Sequence, residues 1–212
     1  MSTVEEKRVG RPARLTRELV LGAALALADR EGAASLTMRR LAAELDCGVM
    51  TLYGYVRDRD DLVGGVVGLL IDEVESGVEP GGTWPDVVRR SAGAYRAMAR
   101  RHPGAFPLLA LSGAAEAVVE PYLERILAAY IRAGLGGREA RELFGVVDSF
   151  CSGFLLMELD EEAATAHAAA RRSAGGEQPE PEPWTYLDAE SYARGVELII
   201  AGARSVLVPQ GG

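Results

Sequence analysis

The sequence has 212 residues, 48% of them hydrophobic and 25% charged, which is ordinary for a globular protein with a core of its own. Two cysteines and two histidines are too few for a disulfide scaffold or a histidine-rich metal site, so we expect neither a bound metal nor a cofactor. No apolar run of about 18 residues occurs, and the N-terminus lacks the apolar segment of a signal peptide. We therefore expect a soluble cytoplasmic protein that does not enter a membrane.

The net charge of −8 is unevenly distributed along the chain. Residues 1–59 carry ten lysines and arginines against eight acidic residues, whereas residues 60–212 carry thirteen against twenty-three. Five of the basic residues fall within residues 7–17, where no acidic residue occurs. This asymmetry is typical of a polyanion-binding end attached to an acidic body, although basic tails without that role are also common.

Apolar residues recur at helical spacing through most of the chain, and no segment alternates as a strand does, so the sequence predicts an all-α fold. In chain order the predicted helices span residues 17–31, between the cap Thr16 and the terminating Gly32, and residues 38–45, 49–55, 59–76, 84–101, 105–111, 114–135, 138–158 and 188–208. Pro121 predicts a kink or a late start in the seventh helix. Residues 160–184, rich in charge, alanine and proline, are predicted to form a long mobile loop.

The second and third helices are joined by a tight turn at residues 46–48, and with the first helix they match a helix-turn-helix unit. Its predicted core residues are Leu36, Leu41, Ala42, Leu45, Leu52 and Val56. We divide the chain into a basic arm at residues 1–15, a helix-turn-helix domain at residues 16–60 and a C-terminal helical domain at residues 61–212. A structural hairpin with no role in DNA binding is the alternative, because such hairpins are common in all-α proteins.

Two stretches of this unit carry a family resemblance. Residues 36–45 (LTMRRLAAEL) and 51–62 (TLYGYVRDRDDL) resemble TetR-family transcriptional regulators, in particular the branch of the tetracycline repressor. Residues 14–18 and the later His102-Pro103 pair also fit that branch. The resemblance implies that the first three helices bind a double-stranded DNA operator. It also implies that the C-terminal helices form a ligand pocket and a homodimer interface, usually a four-helix bundle of the last two long helices.

The resemblance also implies roles for individual residues at the DNA. Arg39 matches a second-helix position that contacts a base edge, where an arginine can bond a guanine through two hydrogen bonds. Thr51 and Tyr53 match recognition-helix positions that touch a thymine methyl group or a phosphate. Tyr55 matches a phosphate-contacting position, and Arg59 matches the basic residue that opens the fourth helix.

Three further positions matter to this comparison. Thr37 matches a hydroxyl that caps the second helix and can also bond a phosphate. The turn has Asp46 where the family usually has glycine, and aspartate tolerates left-handed backbone geometry, so we expect the fold to be kept. Val49 and Met50 replace more polar or rigid residues at the start of the recognition helix, so the operator sequence cannot be borrowed from relatives.

The basic arm supports two interpretations. The segment Gly10-Arg11-Pro12 resembles extensions in this family that enter a minor groove, where a narrow groove attracts arginine through its negative potential. Under this interpretation Arg11 contacts DNA. The alternative is a disordered, solubilising tail, and the sequence does not separate the two.

A regulator of this kind needs a ligand that prefers one of two states, and the C-terminal domain offers a cluster of aromatic and apolar residues with few charges. The candidate pocket residues are Tyr95, Met98, His102, Phe106, Ile126, Tyr130, Phe144, Phe150 and Phe154. Ordinary core packing would show the same spacing. We expect a small, mostly apolar molecule with a few polar handles. His102 resembles a ligand and metal contact of the tetracycline repressor, but no second histidine stands at the corresponding wall, which argues against magnesium–tetracycline.

The dimer prediction rests on the eighth and last helices. Both carry more apolar residues than one neighbour would cover; the last helix has Tyr192, Val196, Ile199, Ile200 and Val206. A twofold dimer would also let two recognition helices contact a palindrome about one DNA turn apart.

Rival functions receive less support. No glycine-rich phosphate loop, nucleophile elbow or paired histidine ligands occur, so we do not expect an enzyme. The acidic run at residues 158–162 fits a solvated helix end better than a metal site. A helical adaptor that binds only proteins, and a DNA-bound regulator without a small-molecule ligand, both remain open.

Overall fold

The computed structural model describes residues 15–76, 81–111, 116–173 and 187–207, and within these ranges the chain is helical and contains no strand, which confirms the all-α prediction. The helices are α1 Arg17–Glu31, α2 Met38–Glu44, α3 Val49–Leu52, α4 Arg59–Ser76, α5 Trp84–Arg101, α6 Phe106–Leu111, α7 Glu116–Arg132, α8 Gly137–Ser173 and α9 Ala189–Val206. A 3₁₀ turn, Ala33–Ser35, follows α1. No helix in these ranges combines the length and apolarity that crossing a lipid bilayer requires.

The ends of the first helices form as their sequences predict. The Thr16 hydroxyl accepts a hydrogen bond from the Leu19 amide at 3.3 Å and so caps α1. Gly32, with φ +84°, ends α1 in a conformation that a side chain would strain. In the turn after α2, Asp46 has φ +48°, so aspartate adopts left-handed backbone geometry, as expected for this position.

The third and seventh helices are shorter than predicted. The third helix was expected over residues 49–55, but α3 is the single turn Val49–Leu52. The amides of Gly54 and Tyr55 donate to carbonyls three residues earlier, so the chain tightens into a turn there. The seventh helix contains Pro121 one turn after its first residue, Glu116, and residues 112–115 lie outside the described ranges.

The prediction of a loop from residue 160 was wrong for its first half. Helix α8 continues to Ser173 instead of ending near residue 158. Six of the ten residues 161–170 are alanine, the strongest helix former, and no glycine or proline occurs before Gly175. The prolines that favour a loop all lie beyond Gly175, whereas the alanine and glutamate before it favour a helix. Residues 174–186 lie outside the described ranges.

Helix α4 connects the two parts of the molecule, because it packs against α1 on one side and against α5, α6 and α7 on the other. Small residues allow these close approaches. A Cβ atom at Gly65 would lie 2.5 Å from a methyl carbon of Leu21 on α1. On another face of α4, Cβ atoms at Gly64 and Gly68 would contact Val118 on α7 at 3.4 and 3.5 Å.

A second contact joins α1 to the C-terminal domain just after α5. The Nδ1 and Nε2 atoms of His102 lie 2.6 Å from Asp29 Oδ2 on α1 and 2.8 Å from Glu73 Oε2 on α4. The Ala105 amide donates to Asp29 Oδ1 at 3.1 Å. We refer to Asp29, Glu73 and His102 as the junction cluster.

Replacement of Gly104 by alanine is predicted to loosen this contact. Its Cβ would lie 2.3 Å from the carbonyl oxygen of Ala28 and 2.7 Å from the Cα of Asp29, and backbone atoms cannot rotate away as a side chain can. We expect a loss of about 1–3 kcal/mol in the free energy of unfolding, measured by urea denaturation. Gly93→Ala is the control, because nothing lies within 4 Å of the added carbon. An unchanged or higher stability of Gly104→Ala would show that the turn is not held against α1.

Candidate functional site

The α2–α3 unit has a continuous apolar interior and an exposed outer surface. Five of the six predicted core residues, Leu36, Leu41, Ala42, Leu52 and Val56, are buried, and the sixth, Leu45, is half-buried and packs against them. On the outer surface Met50 is 80% and Tyr53 46% exposed, and Thr51 is also exposed. Val49 and Tyr55 are half-buried and pack against the core, so only one side of each faces outward. Thr37 caps α2 by accepting a hydrogen bond from the Arg40 amide at 3.2 Å.

Two adjacent arginines on α2 differ in their ion pairs: of the two, only Arg40 is paired with acidic residues among the described residues. The Arg40 guanidinium donates to Glu31 at 2.9 Å through Nε and lies 3.4 Å from Glu44 through Nη1. Arg39 is exposed, and its side chain forms no hydrogen bond or ion pair within the described part of the chain. The same holds for Arg59 at the first position of α4. Arg39 and Arg59 therefore present guanidinium groups that are free to bind an external anion or base.

Arg17 has an internal role, unlike the polyanion-binding role that the sequence suggested for all of residues 7–17. Its Nη1 donates to the Tyr55 carbonyl at 2.6 Å, and both terminal nitrogens donate to Asp61 at 2.8 and 3.1 Å. The Arg57 amide also donates to Asp61 at 2.8 Å. Arg17 thus ties α1 to the turn after α3. The remainder of the arm, with Arg11, lies outside the described residues.

The Arg17–Asp61 pair predicts a pH-dependent contribution to stability. The Arg17 guanidinium, and secondly the Arg57 amide, lower the pKa of Asp61. A lowered carboxyl pKa stabilises the fold at neutral pH, and this stabilisation is lost as the pH falls through the folded-state value. We expect Arg17→Met to lose about 1 kcal/mol at neutral pH, because the pair is partly solvated, and less at an acidic pH at which the Asp61 carboxyl becomes protonated. Thermal melting at both pH values measures this, with the exposed Arg141→Met as control. An equal loss at both would contradict the ion-pair account.

A cavity lies between α5, α7 and α8. It is open to solvent on one side, and its empty space of about 340 Å³ includes that open solvent. The residues that line it are Ser91, Ala92, Tyr95, Tyr122, Ile126, Tyr130, Phe144, Val147, Asp148 and Cys151. Four of the nine sequence candidates, Tyr95, Ile126, Tyr130 and Phe144, are therefore brought together here.

The other five candidates lie elsewhere. Met98 and Phe106 are fully buried in the core. The rings of Phe150 and Phe154 lie 5.7 and 5.4 Å from the ring of Tyr192 and fill the contact between α8 and α9. His102 belongs to the junction cluster, where both ring nitrogens face carboxylates rather than the cavity.

The sequence contained a signal for the lining residues that were missed. Residues 122, 126 and 130 are spaced by four along α7, and residues 144, 147, 148 and 151 follow the same helical stripe of α8. Aromatic and apolar spacing alone therefore predicts part of each helix face that lines the cavity, but it does not predict the polar lining residues such as Asp148. Those residues can be assigned only from the folded structure.

The hydroxyl and thiol groups of the cavity are buried or half-buried, whereas Asp148 is exposed to solvent. The Tyr95 hydroxyl lies 3.0 Å from Ser152 Oγ. Burial raises the pKa of Tyr130 to about 12 and that of the Cys151 thiol to about 11, so both stay protonated at neutral pH. Desolvation also raises the pKa of Asp148, without a hydrogen bond or cation to oppose it.

A second feature of this half is an apolar groove where α8 and α9 meet. The residues that line it are Glu142, Leu143, Val146, Ile199, Gly202, Ala203, Val206 and Leu207. On the same two helices Val146 is 55%, Leu198 69% and Val206 76% exposed. Such a concentration of exposed large apolar side chains is typical of an interface that is open in the isolated chain.

Comparison with known proteins gives a consistent result. Residues 77–207 match the family model described as the tetracyclin repressor-like C-terminal domain. The chain is 33% identical over 192 residues to an HTH-type transcriptional regulator of Mycobacterium tuberculosis, with 81% of this chain and 86% of that protein covered.

Solved structures show the same fold. ActR of Streptomyces coelicolor, in complex with (S)-DNPA, is 25% identical with a TM-score of 0.66, and the match covers 92% of this chain and 100% of that chain. BioQ of Mycobacterium smegmatis is 23% identical with a TM-score of 0.71, and the match covers 90% and 98%.

Proposed function

This chain belongs to the TetR family of transcriptional regulators, and we propose that it is a homodimeric repressor that releases a palindromic DNA operator when a small molecule occupies its cavity. The observation that carries the proposal is the exposed outer surface of the α2–α3 unit. Met50, Thr51 and Tyr53 are exposed there, beside the unpaired guanidinium groups of Arg39 and Arg59. Outward apolar, hydroxyl and cationic groups are what base edges and phosphates bind.

The two unpaired arginines have different roles in this proposal. Arg39 projects from α2 and contacts a base edge, and Arg59, at the start of α4, contacts a phosphate. The sugar-phosphate backbone or a thymine methyl group is contacted by Thr37, Thr51, Tyr53 and Tyr55. Apolar contacts with the bases, which contribute to sequence preference, come from Val49 and Met50. Arg11, ahead of the described residues, adds a contact in the minor groove.

Substitution of three arginines separates base contacts from phosphate contacts. The operator is first obtained by selecting bound sequences from random duplex DNA at physiological salt. We expect Arg39→Ala to lose about 1–3 kcal/mol of discrimination at one base pair per half-site. We expect Arg59→Ala to weaken binding to all sequences alike and to reduce the slope of log affinity against log salt concentration by about one. Arg40→Ala is the control, because Glu31 and Glu44 already occupy its guanidinium.

The measurement is affinity against operators with single base changes, by fluorescence anisotropy at several salt concentrations. Equal losses across all sequences for Arg39→Ala and Arg59→Ala would overturn the division of roles. If a well-folded protein enriches no DNA sequence, the DNA proposal fails and a protein-binding helical adaptor becomes the better hypothesis. Repression is tested by placing the operator in a reporter promoter, where the protein should lower transcription.

The dimer in this proposal forms through α8 and α9 of each protomer. The exposed side chains of Val146, Leu198 and Val206 supply apolar area, and Gly153 and Gly202, with nothing within 4 Å of an added Cβ, allow close approach of a second helix pair. Burial of such area stabilises association by roughly 25 cal/mol per Å² before the entropy of association is subtracted.

A charge placed in this face is predicted to abolish the dimer. We expect Leu198→Glu to convert the protein to a monomer, because a carboxylate would be buried without a partner. Leu111→Glu on α6, where the leucine is 71% exposed, should leave the dimer intact. Light scattering at micromolar concentration measures both. A native protein of monomeric mass, or a Leu198→Glu variant that remains dimeric, would contradict the proposed interface.

A further inference from the structure

The cavity between α5, α7 and α8 is lined by neutral polar residues and one acidic residue. The lining residues that carry polar groups are Ser91, Tyr95, Tyr122, Tyr130, Asp148 and Cys151. Within the described part of the chain, no lysine, arginine or histidine lines it. The only formal charge at its wall is therefore negative.

The Asp148 carboxylate lacks the arginine partners that Glu142, Glu158 and Glu162 of the same helix have. Among the described residues it accepts no hydrogen bond and forms no ion pair, whereas Glu158, ten residues further on, bonds Arg96 and Arg100. Desolvation by the neighbouring wall raises the pKa of Asp148, and no group among the described residues lowers it. Asp148 is exposed, so its side chain lies at the open rim of the cavity, in contact with solvent.

The remaining walls suit a flat, apolar molecule. Tyr95, Tyr122 and Phe144 supply aromatic surface, and Ile126 and Val147 supply aliphatic surface. Aromatic faces attract cations, and tyrosine oxygens can accept hydrogen bonds from an ammonium group. An anionic ligand would instead bring a second negative charge close to Asp148, with no cation in the lining to pair with either.

We propose that the cavity selects a flat aromatic molecule that carries a positive charge, with Asp148 as the counter-charge for its amine or ammonium group. This inference rests on the proposed ligand response and specifies the chemical class of the ligand.

Three acridines that share one ring system but differ in charge test the charge preference directly. At neutral pH 9-aminoacridine is a cation, acridine is uncharged and acridine-9-carboxylate is an anion. Fluorescence titration of the full-length protein, without DNA, should give a Kd for 9-aminoacridine about tenfold or more below those of the other two. Acidification should weaken binding of the cation as Asp148 becomes protonated.

Asp148→Asn should raise the Kd of 9-aminoacridine about tenfold, leave that of acridine unchanged and remove the pH dependence. Asp160→Asn, an exposed carboxylate of the same helix outside the cavity, is the matched control and should bind as the native protein does. Similar affinities for all three acridines, a preference for the anion, no binding of 9-aminoacridine, or no effect of Asp148→Asn would each overturn the inference.

Operator release is measured separately, so that the two proposals can fail independently. If 9-aminoacridine binds in an Asp148-dependent way but leaves the operator bound, the ligand class stands and the ligand response fails. Because acridines also intercalate in DNA, release is compared between native protein and Asp148→Asn on the same duplex. Release from the native protein alone assigns the effect to the cavity, and equal release from both assigns it to the DNA.

Discussion

The orientation of the α2–α3 unit depends on how α1 and α4 are held against the rest of the molecule. His102, directly after α5, lies within hydrogen-bond distance of Asp29 on α1 and Glu73 on α4, so one imidazole joins three helices. Gly104 lets the following turn approach the backbone of α1 closely. At the other end of α1, Arg17 fixes the turn after α3 through Tyr55 and Asp61. The DNA-facing unit is thus attached at both ends of α1.

The cavity reaches this attachment through packed helices. Helix α7, which carries Tyr122 and Tyr130 at the cavity, also places Val118 over Gly64 and Gly68 of α4. A ligand that displaces α7 therefore acts on the helix that carries Glu73 of the junction cluster. Because close-packed interiors shift between discrete arrangements rather than deform continuously, a small displacement at the cavity can change the separation of two recognition helices. This route is part of the proposed ligand response.

Much of the architecture could be predicted from the sequence because its signals are local. Thr16, Gly32 and Asp46 act through their own backbone neighbours, and the apolar spacing from Leu36 to Val56 fixes the core of the α2–α3 unit. The extension of α8 was missed because alanine-rich, charged sequence has low hydrophobicity yet high helix propensity. The remaining differences are tertiary. Sequence spacing cannot show that Arg40 is paired with Glu31 while Arg39 has no ion pair among the described residues, or that His102 faces Asp29 and Glu73 instead of the cavity.

A distance measurement without any ligand tests most directly whether the junction cluster orients the DNA-facing unit. Spin labels at Ala26→Cys on α1 and Ala97→Cys on α5, both exposed positions, report the distance between α1 and the C-terminal domain, in a Cys47→Ser background. Dilution with unlabelled protein leaves one labelled protomer per dimer. Double electron–electron resonance should give one narrow distance distribution for the protein that keeps His102 and a broad or shifted distribution for His102→Ala. Identical distributions would contradict the claim that the junction cluster orients the DNA-facing unit.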